Sequence, residues 1–379
     1  MKRLFVFILA LAAFLSFLSL GTSASEAMPP DYDNFLGAIP EDVAEVLPDG
    51  FFSNEADKVT SAVGEAAGVD SLIDIVIKAF TGGMGSALSL FASLVVLLAL
   101  CALVGASGDS LSGSLSDGAS FISSLAVATT VVGLQYGRFE AVGAYFANLR
   151  TIMTSLVPVM SVLYLSGGNV SSAAITNTTF VLCLDLIGIL VTGLLMPAAI
   201  VCLALAMADS LQIGKAPSLS GVSDMIKKVI TFVFGLASTL FAASMGIQNV
   251  LAASSDGVGA RTVKYVAGNM IPVLGSTVAD SLRTVAASTK LLRSTVGVAG
   301  IVIIAALVLP TLVSLWLTRL AFFASAAVGD MLGCSHEVKL LRQVASIYGY
   351  LMGAAAMTAL LFVFALTVFA LTSSAAGGI

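Results

Sequence analysis

The chain has 379 residues, 58% hydrophobic and only 10% charged, with a formal net charge of −5. An ordinary soluble domain carries about 25% charged residues, so this composition and a mean hydropathy of +1.04 exclude a plain soluble domain. Several separate apolar runs point to membrane spans, because one run of about 20 residues is enough to cross the hydrocarbon.

Residues 1–27 read as a secretory signal peptide. Lys2 and Arg3 precede an apolar core from Leu4 to Leu20, and small residues follow, with cleavage sites after Ala24 or Ala27. The core is slightly long, so an uncleaved anchor stays open. Either way, the following residues are expected outside the cytoplasm.

Those residues, 28–83, form an acidic extracytoplasmic segment. Twelve acids fall between Ser25 and Phe80, against Lys58 and Lys78 alone. They read as a solvated linker or as a docking segment for a basic partner. Ser71–Phe80 has the period of an amphipathic helix lying along the membrane surface before the first span.

The main apolar runs are Ala87–Ala106, Ser120–Tyr136, Thr178–Ala208, Val229–Leu251, Thr295–Leu317 and Val344–Leu371, with a shorter one at Thr151–Leu165. The expected fold is all-α: a polytopic transmembrane helix bundle of six to seven spans, since each span must satisfy its own backbone hydrogen bonds. Residues 84–118 hold the first span and its loop, and 346–379 the last span and tail. Arg138, Arg150, Lys227 and Lys228 read as loop charges, and the charges do not alternate cleanly enough to orient the spans.

The middle of the chain reads as a direct duplication, 119–231 and 232–345. Pro197 and Pro310 each sit within a long apolar run, 113 positions apart. Val131–Gln135 (VVGLQ) matches Ser244–Gln248 (SMGIQ) at the same offset. Leu156–Ser161 (LVPVMS) matches Met270–Gly275 (MIPVLG) at an offset of 114. Breaks are expected at Pro158, Pro197, Gly268, Pro272, Gly275 and Pro310. In the second unit a half-polar insert runs from Gly259 to Leu291. Val278, Leu282, Val285, Ala286 and Leu292 share a stripe there, and Asp280, Arg283, Thr284 and Lys290 lie off it. Such an insert is either an interfacial helix or a re-entrant element lining an aqueous path.

Asp185 is the one acid well inside an apolar run. A buried charge of that kind faces a partner or water. Asp185, Asp280, Arg283 and Lys290 are therefore the candidate pore or transport residues, with a hydrogen-bonded structural acid as the alternative for Asp185. Gln135, Gln248 and Asn249 read as amides bonding across helices. The four cysteines read as small apolar residues. Cys334, His336 and Glu337 are expected in a solvated loop, half a zinc site at best. No phosphate loop, zinc-protease motif, nucleophile elbow or dinucleotide fingerprint occurs, so no catalytic, cofactor or metal residues are assigned and no enzyme is indicated.

Three stretches carry a family resemblance: VKYVAGNMIPVLGSTVADS, then LLRSTVGVAGIVIIAALVLPTL, then KLLRQVASIYGYLMGAAAM. They resemble the stage III sporulation protein AE family of endospore-forming bacteria, and the likeness extends over roughly Ala87 to Thr372. It implies a multi-pass protein of the mother-cell membrane surrounding the forespore. It also implies membership of a transport channel, or feeding tube, between the two cells. The implied partners are other membrane proteins of the stage III operon, including ring components and an ATPase, and stage II sporulation protein Q on the forespore side. A homo-oligomer is compatible with it, and a nucleic-acid partner is not implied. An independent secondary transporter for a small solute and a structural anchor of the assembly are the alternatives.

Overall fold

The computed structural model describes residues 28–29, 31–108, 113–211, 219–270 and 275–371. Within these, 107–117, 119–120, 249 and 251–287 are described by their backbone alone. The signal segment 1–27 and Pro272 lie outside the described residues. Among the described residues the fold is helical throughout, without strands, and six helices are long and apolar enough to cross a membrane.

The acidic segment folds into a cap. It comprises α1 (Tyr32–Leu36), α2 (Glu41–Ala44), a 3-10 turn (Asp49–Phe52) and α3 (Ala56–Ala66). Tyr32, Phe35, Phe51, Val59 and Val63 are fully buried, while Asp33, Glu41, Asp42, Glu45, Asp49 and Glu55 are exposed. The linker expectation fails for this reason: the acids alternate with aromatic and branched residues at spacings that let a small core close. The Tyr32 hydroxyl donates to Phe51 O at 3.3 Å. Thr60 and Thr295 hydroxyls meet at 3.1 Å, tying the cap to the bundle.

Six long helical paths follow: α4 (Val69–Gly108), α5 (Gly113–Ser166), α6 (Val170–Leu190) continuing through a π-helical turn (Val191–Leu195) into α7 (Met196–Ser210), α8 (Ser220–Met270), α9 (Gly275–Met331) and α10 (Ser335–Leu371). Ser71–Phe80 opens α4 instead of forming a surface helix of its own. Thr151–Leu165 is no separate span: it continues the helix that contains Ser120–Tyr136. The insert is divided between the end of α8 and the start of α9. At about 1.5 Å per residue, the 51 residues of α8 and 57 of α9 far exceed a hydrocarbon core of about 30 Å.

Local chemistry explains the breaks. α5 ends at Gly168, whose φ of 74° is the left-handed conformation glycine adopts freely; Asn169 N then caps Tyr164 O at 2.9 Å. Gly333 (φ 79°) reverses the chain between α9 and α10 in the same way, with Cys334 N on Gly329 O at 3.0 Å. The π turn stands just upstream of Pro197. Proline offers no N–H and its ring crowds the carbonyl four residues back, and a widened turn relieves both problems. Pro158 and Pro310 instead sit inside continuous helices.

α9 is the centre of the bundle. From Val296 to Leu309 every residue is buried, on all faces. α4, α5, α10 and the cap surround it. Gly297 and Gly300 permit this: an added Cβ would fall 2.7 Å from Ala370 Cβ and 2.7 Å from Leu366 Cδ1, respectively. α6, α7 and α8 lie at the periphery and expose Leu182, Ile189, Phe232 and Leu240.

Candidate functional site

Charges stand at several heights within the bundle. The sharpest site is an ion pair between two spans. Arg150 Nη2 of α5 lies 2.7 Å from Asp185 Oδ1 of α6, and both side chains are about half exposed at the bundle surface. Asp185 therefore has the partner its position demands. Arg150 was the missed half: charges at 138 and 150 suggested a loop, yet both belong to α5. A small residue makes room for the pair, since a Cβ at Gly188 would come within 3.1 Å of the Arg150 guanidinium.

The pair borders an open groove of about 640 Å³ between α5, α6–α7 and α10. Thr151, Thr154, Ser155 and Thr192 provide hydroxyls, and Phe146 and Phe362 provide apolar walls. The π turn contributes Val191 and Thr192. The exposed side of α5 beside it holds Glu140, Ala141, Ala144, Ala147, Arg150, Thr151 and Thr154, with no large apolar residue. Lipid is a poor neighbour for such a face.

Other polar contacts lock the helices together. Gln135 accepts from the Tyr348 hydroxyl, and Gln248 accepts from Thr179, so these two amides bond across helices; the Asn249 side chain lies outside the described residues. Arg138 donates to Thr318. Asp209 accepts from Leu219 N at 2.7 Å and from Gln343 at 2.8 Å, tying the end of α7 to the backbone just before α8 and to α10. Arg293 is fully buried, its guanidinium carbon 5.2 Å from the Tyr164 ring centroid.

The expected solvated loop at Cys334–Glu337 is instead a packed corner. Glu337 is buried and accepts from Ser123 Oγ at 3.2 Å and Ser124 Oγ at 3.0 Å. Cys334 Sγ is 3.6 Å from Leu98 O. Burial, with the Glu337 charge adding to it, pushes the Cys334 thiol up to about 11. Sequence proximity suggested a loop because it could not show that α4 and α5 close over this turn. Among the described residues no group of three metal-ligating side chains forms.

The other candidates do not converge on the Asp185 groove. Lys290 is exposed on α9, one turn from Arg293 and so near the Tyr164 end of α5. Asp280 and Arg283 lie on the first turns of α9, Gly268 near the end of α8 and Gly275 at the start of α9; their side-chain surroundings lie outside the described residues.

The family model described as stage III sporulation protein AE matches residues 58–373, most of the chain. The chain belongs to the stage III sporulation protein AE family. A relative with that name from Bacillus subtilis (strain 168) is 24% identical over 221 residues, covering 58% of this chain and 55% of that protein. The alignment thus spans about half of the relative's length. No solved structure matches the chain. The family match begins inside α3, so it takes in all six long helical paths, the Arg150–Asp185 pair and the Glu337 corner, but not the first cap helices. As a stage III AE family member, this is a sporulation membrane protein, and its family is not a known enzyme family.

Proposed function

We propose that the chain is an integral membrane subunit of a transport channel between mother cell and forespore, needed for forespore development. Family membership supports the sporulation setting. The Arg150–Asp185 pair on a lipid-averse face supports the subunit role, because such a face is best satisfied by a neighbouring protein or by water. α9 fills the bundle axis, so the conduit in this reading runs between chains rather than through one. The mother-cell membrane is the proposed location, with the acidic cap extracytoplasmic. The proposed partners are the other stage III operon membrane proteins, including ring components and an ATPase, and stage II sporulation protein Q on the forespore side.

The duplication belongs to the same proposal. Its support is that each proposed unit, 119–231 and 232–345, holds a long helix followed by a helical path that carries a proline, Pro197 and Pro310. Asp280, Arg283 and Lys290 are proposed to line an aqueous path. A cysteine at any of these three positions is expected to react with a membrane-impermeant thiol reagent, with Val278 and Leu282 positions protected.

The deciding experiment images a tagged copy expressed from its own promoter. The channel reading requires signal only after asymmetric division, gathered on the membrane engulfing the forespore. Uniform signal in growing cells overturns it. A second reading, an independent transporter for a small solute, draws on the groove beside Asp185. Solute uptake by vesicles containing this chain alone, abolished by Asp185→Asn, would select that reading.

A further inference from the structure

Copies of a membrane protein inserted the same way differ only by movement within the membrane plane. Any contact between them therefore pairs residues at equal height. Two ties fix the heights of α4 against α5. Cys101 lies beside Ser123 at the end away from the cap. Nearer the cap, Arg138 donates to Thr318, and a Cβ built on Gly83 would meet Cδ1 of Leu317, the neighbouring residue of α9, at 2.9 Å. The two helices are thus antiparallel, and residues 83 and 138 share a level to within a turn. Nine residues toward the cap from each stand Asp74 and Ala147, with Arg150 less than one turn further on.

The groove beside Arg150 and Asp185 is therefore level with the first turns of α4. Its walls are apolar and its rim is charged. The outer face of α4 at that level has the same mixed character: Ile73 and Ile77 stand exposed among Asp70, Asp74 and Lys78.

The charges are also ordered to match. From the cap end, α5 presents Arg150 and then Glu140, while α4 presents Asp74 and then Lys78. Glu140 is exposed and has no ion pair or hydrogen bond among the described residues. Asp74 and Lys78 pair with each other at 2.7 Å across one helical turn, both more than half exposed. Such a pair is weak, and it leaves one Asp74 oxygen and two Lys78 protons for a partner. Close approach is open on both sides. A Cβ at Gly82 or Gly85 would meet nothing within 4 Å, and Ala141 and Ala144 are exposed on α5.

We propose that the groove receives α4 of a second copy of this chain. Ile73 and Ile77 enter the groove, Asp74 meets Arg150 and Lys78 meets Glu140. Opposite charges at equal heights set the register. The two surfaces differ, so the contact is head-to-tail, the kind that closes into rings. It deepens the subunit reading of the Arg150–Asp185 face but needs no sporulation partner, so the forespore imaging and the test below can fail separately.

The test uses the full chain in lipid vesicles, as a mixture of two differently tagged forms whose four native cysteines are replaced by alanine. Ile77→Cys in one form and Ala147→Cys in the other should cross-link on mild oxidation. Ile77→Cys against Gly133→Cys, roughly 20 Å lower at 1.5 Å per residue, should not. Glu140→Lys breaks no described contact within its own chain, so it should keep Tm and cut the cross-link several-fold. Lys78→Glu on the opposite form should restore it. No cross-link between positions 77 and 147 in forms of unchanged Tm overturns the contact. Equal yield at position 133 overturns the register, and a yield that Glu140→Lys leaves undiminished overturns the charge match. An Ala147→Cys form that cross-links in sporulating cells only to a different protein overturns the second copy as occupant.

Discussion

At the residue scale, the Arg150–Asp185 pair is the most testable feature. Each charge alone in a span costs on the order of 3 kcal/mol on insertion scales, and each is offset by the other. Arg150→Met or Asp185→Asn alone should lower Tm and membrane yield. The double variant should recover much of the loss, with a coupling of about 1 kcal/mol, modest because both side chains are half exposed. Additive losses in a double-mutant melting cycle would show that the pair is not energetically coupled. Cys334 offers a second check. With its thiol pushed up to about 11 by burial and by Glu337, it is overwhelmingly protonated at pH 7 and should resist maleimide. Raising the pH through 9 to 10 should increase the thiolate fraction about tenfold per unit. Glu337→Gln removes the neighbouring charge and should speed labelling. Asp185 was legible in the sequence because an acid in an apolar run must be accounted for. Arg150 was not, because a stretch with Arg138, Glu140 and Arg150 satisfies the rule for a loop as well as the rule for a polar helix face.

At the scale of elements, the spans were legible where apolar runs exceed 20 residues, and the joins between them were not. Hydropathy dips at 137–150, so one helix looked like two. In the bundle that dip is a face of α5 turned to the groove, and helical hydrogen bonding runs straight through it. The cap was misread for a related reason. Net acidity describes its surface, whereas its fold depends on the buried side chains spaced among the acids, from Tyr32 and Phe35 through Phe51 to Val63. The contact between α9 and α10 yields a sharper prediction. A Cβ at Gly297 would meet Ala370 Cβ at 2.7 Å with that residue's backbone at 3.4 Å, so the helices must separate. At Gly300 the clash is with the end of the Leu366 side chain, which can rotate away. Gly297→Ala should therefore destabilise the chain by about 1–3 kcal/mol and Gly300→Ala by less, as read from melting of the two variants. The reverse order would mean that α10 is not held against α9 as described.

At the scale of the whole molecule, the heights of the apolar runs do not agree with one flat membrane, and α5 serves as a ruler. Cys101 of α4 lies beside Ser123 of α5, and Asp185 of α6 lies beside Arg150 of the same helix. Those two levels are roughly 40 Å apart at 1.5 Å per residue, against a hydrocarbon core of about 30 Å. An upright bundle cannot bathe both the α4 run, with Leu100 and Leu103 exposed, and the α6 run, with Leu182 exposed, in the same lipid. Either the bundle tilts steeply, or one belt is covered by other subunits in the assembly. Trp316 is the only tryptophan in the chain, so a Trp316→Phe background allows a direct reading. Tryptophan placed at Leu103 and, separately, at Leu182 should differ clearly in quenching by lipids brominated at one acyl depth. The poorly quenched belt is then the protein-facing one, and it is the surface on which to seek the partners that complete the channel. Equal quenching would instead require the tilt, and the apolar belts would then carry no information about subunit contacts.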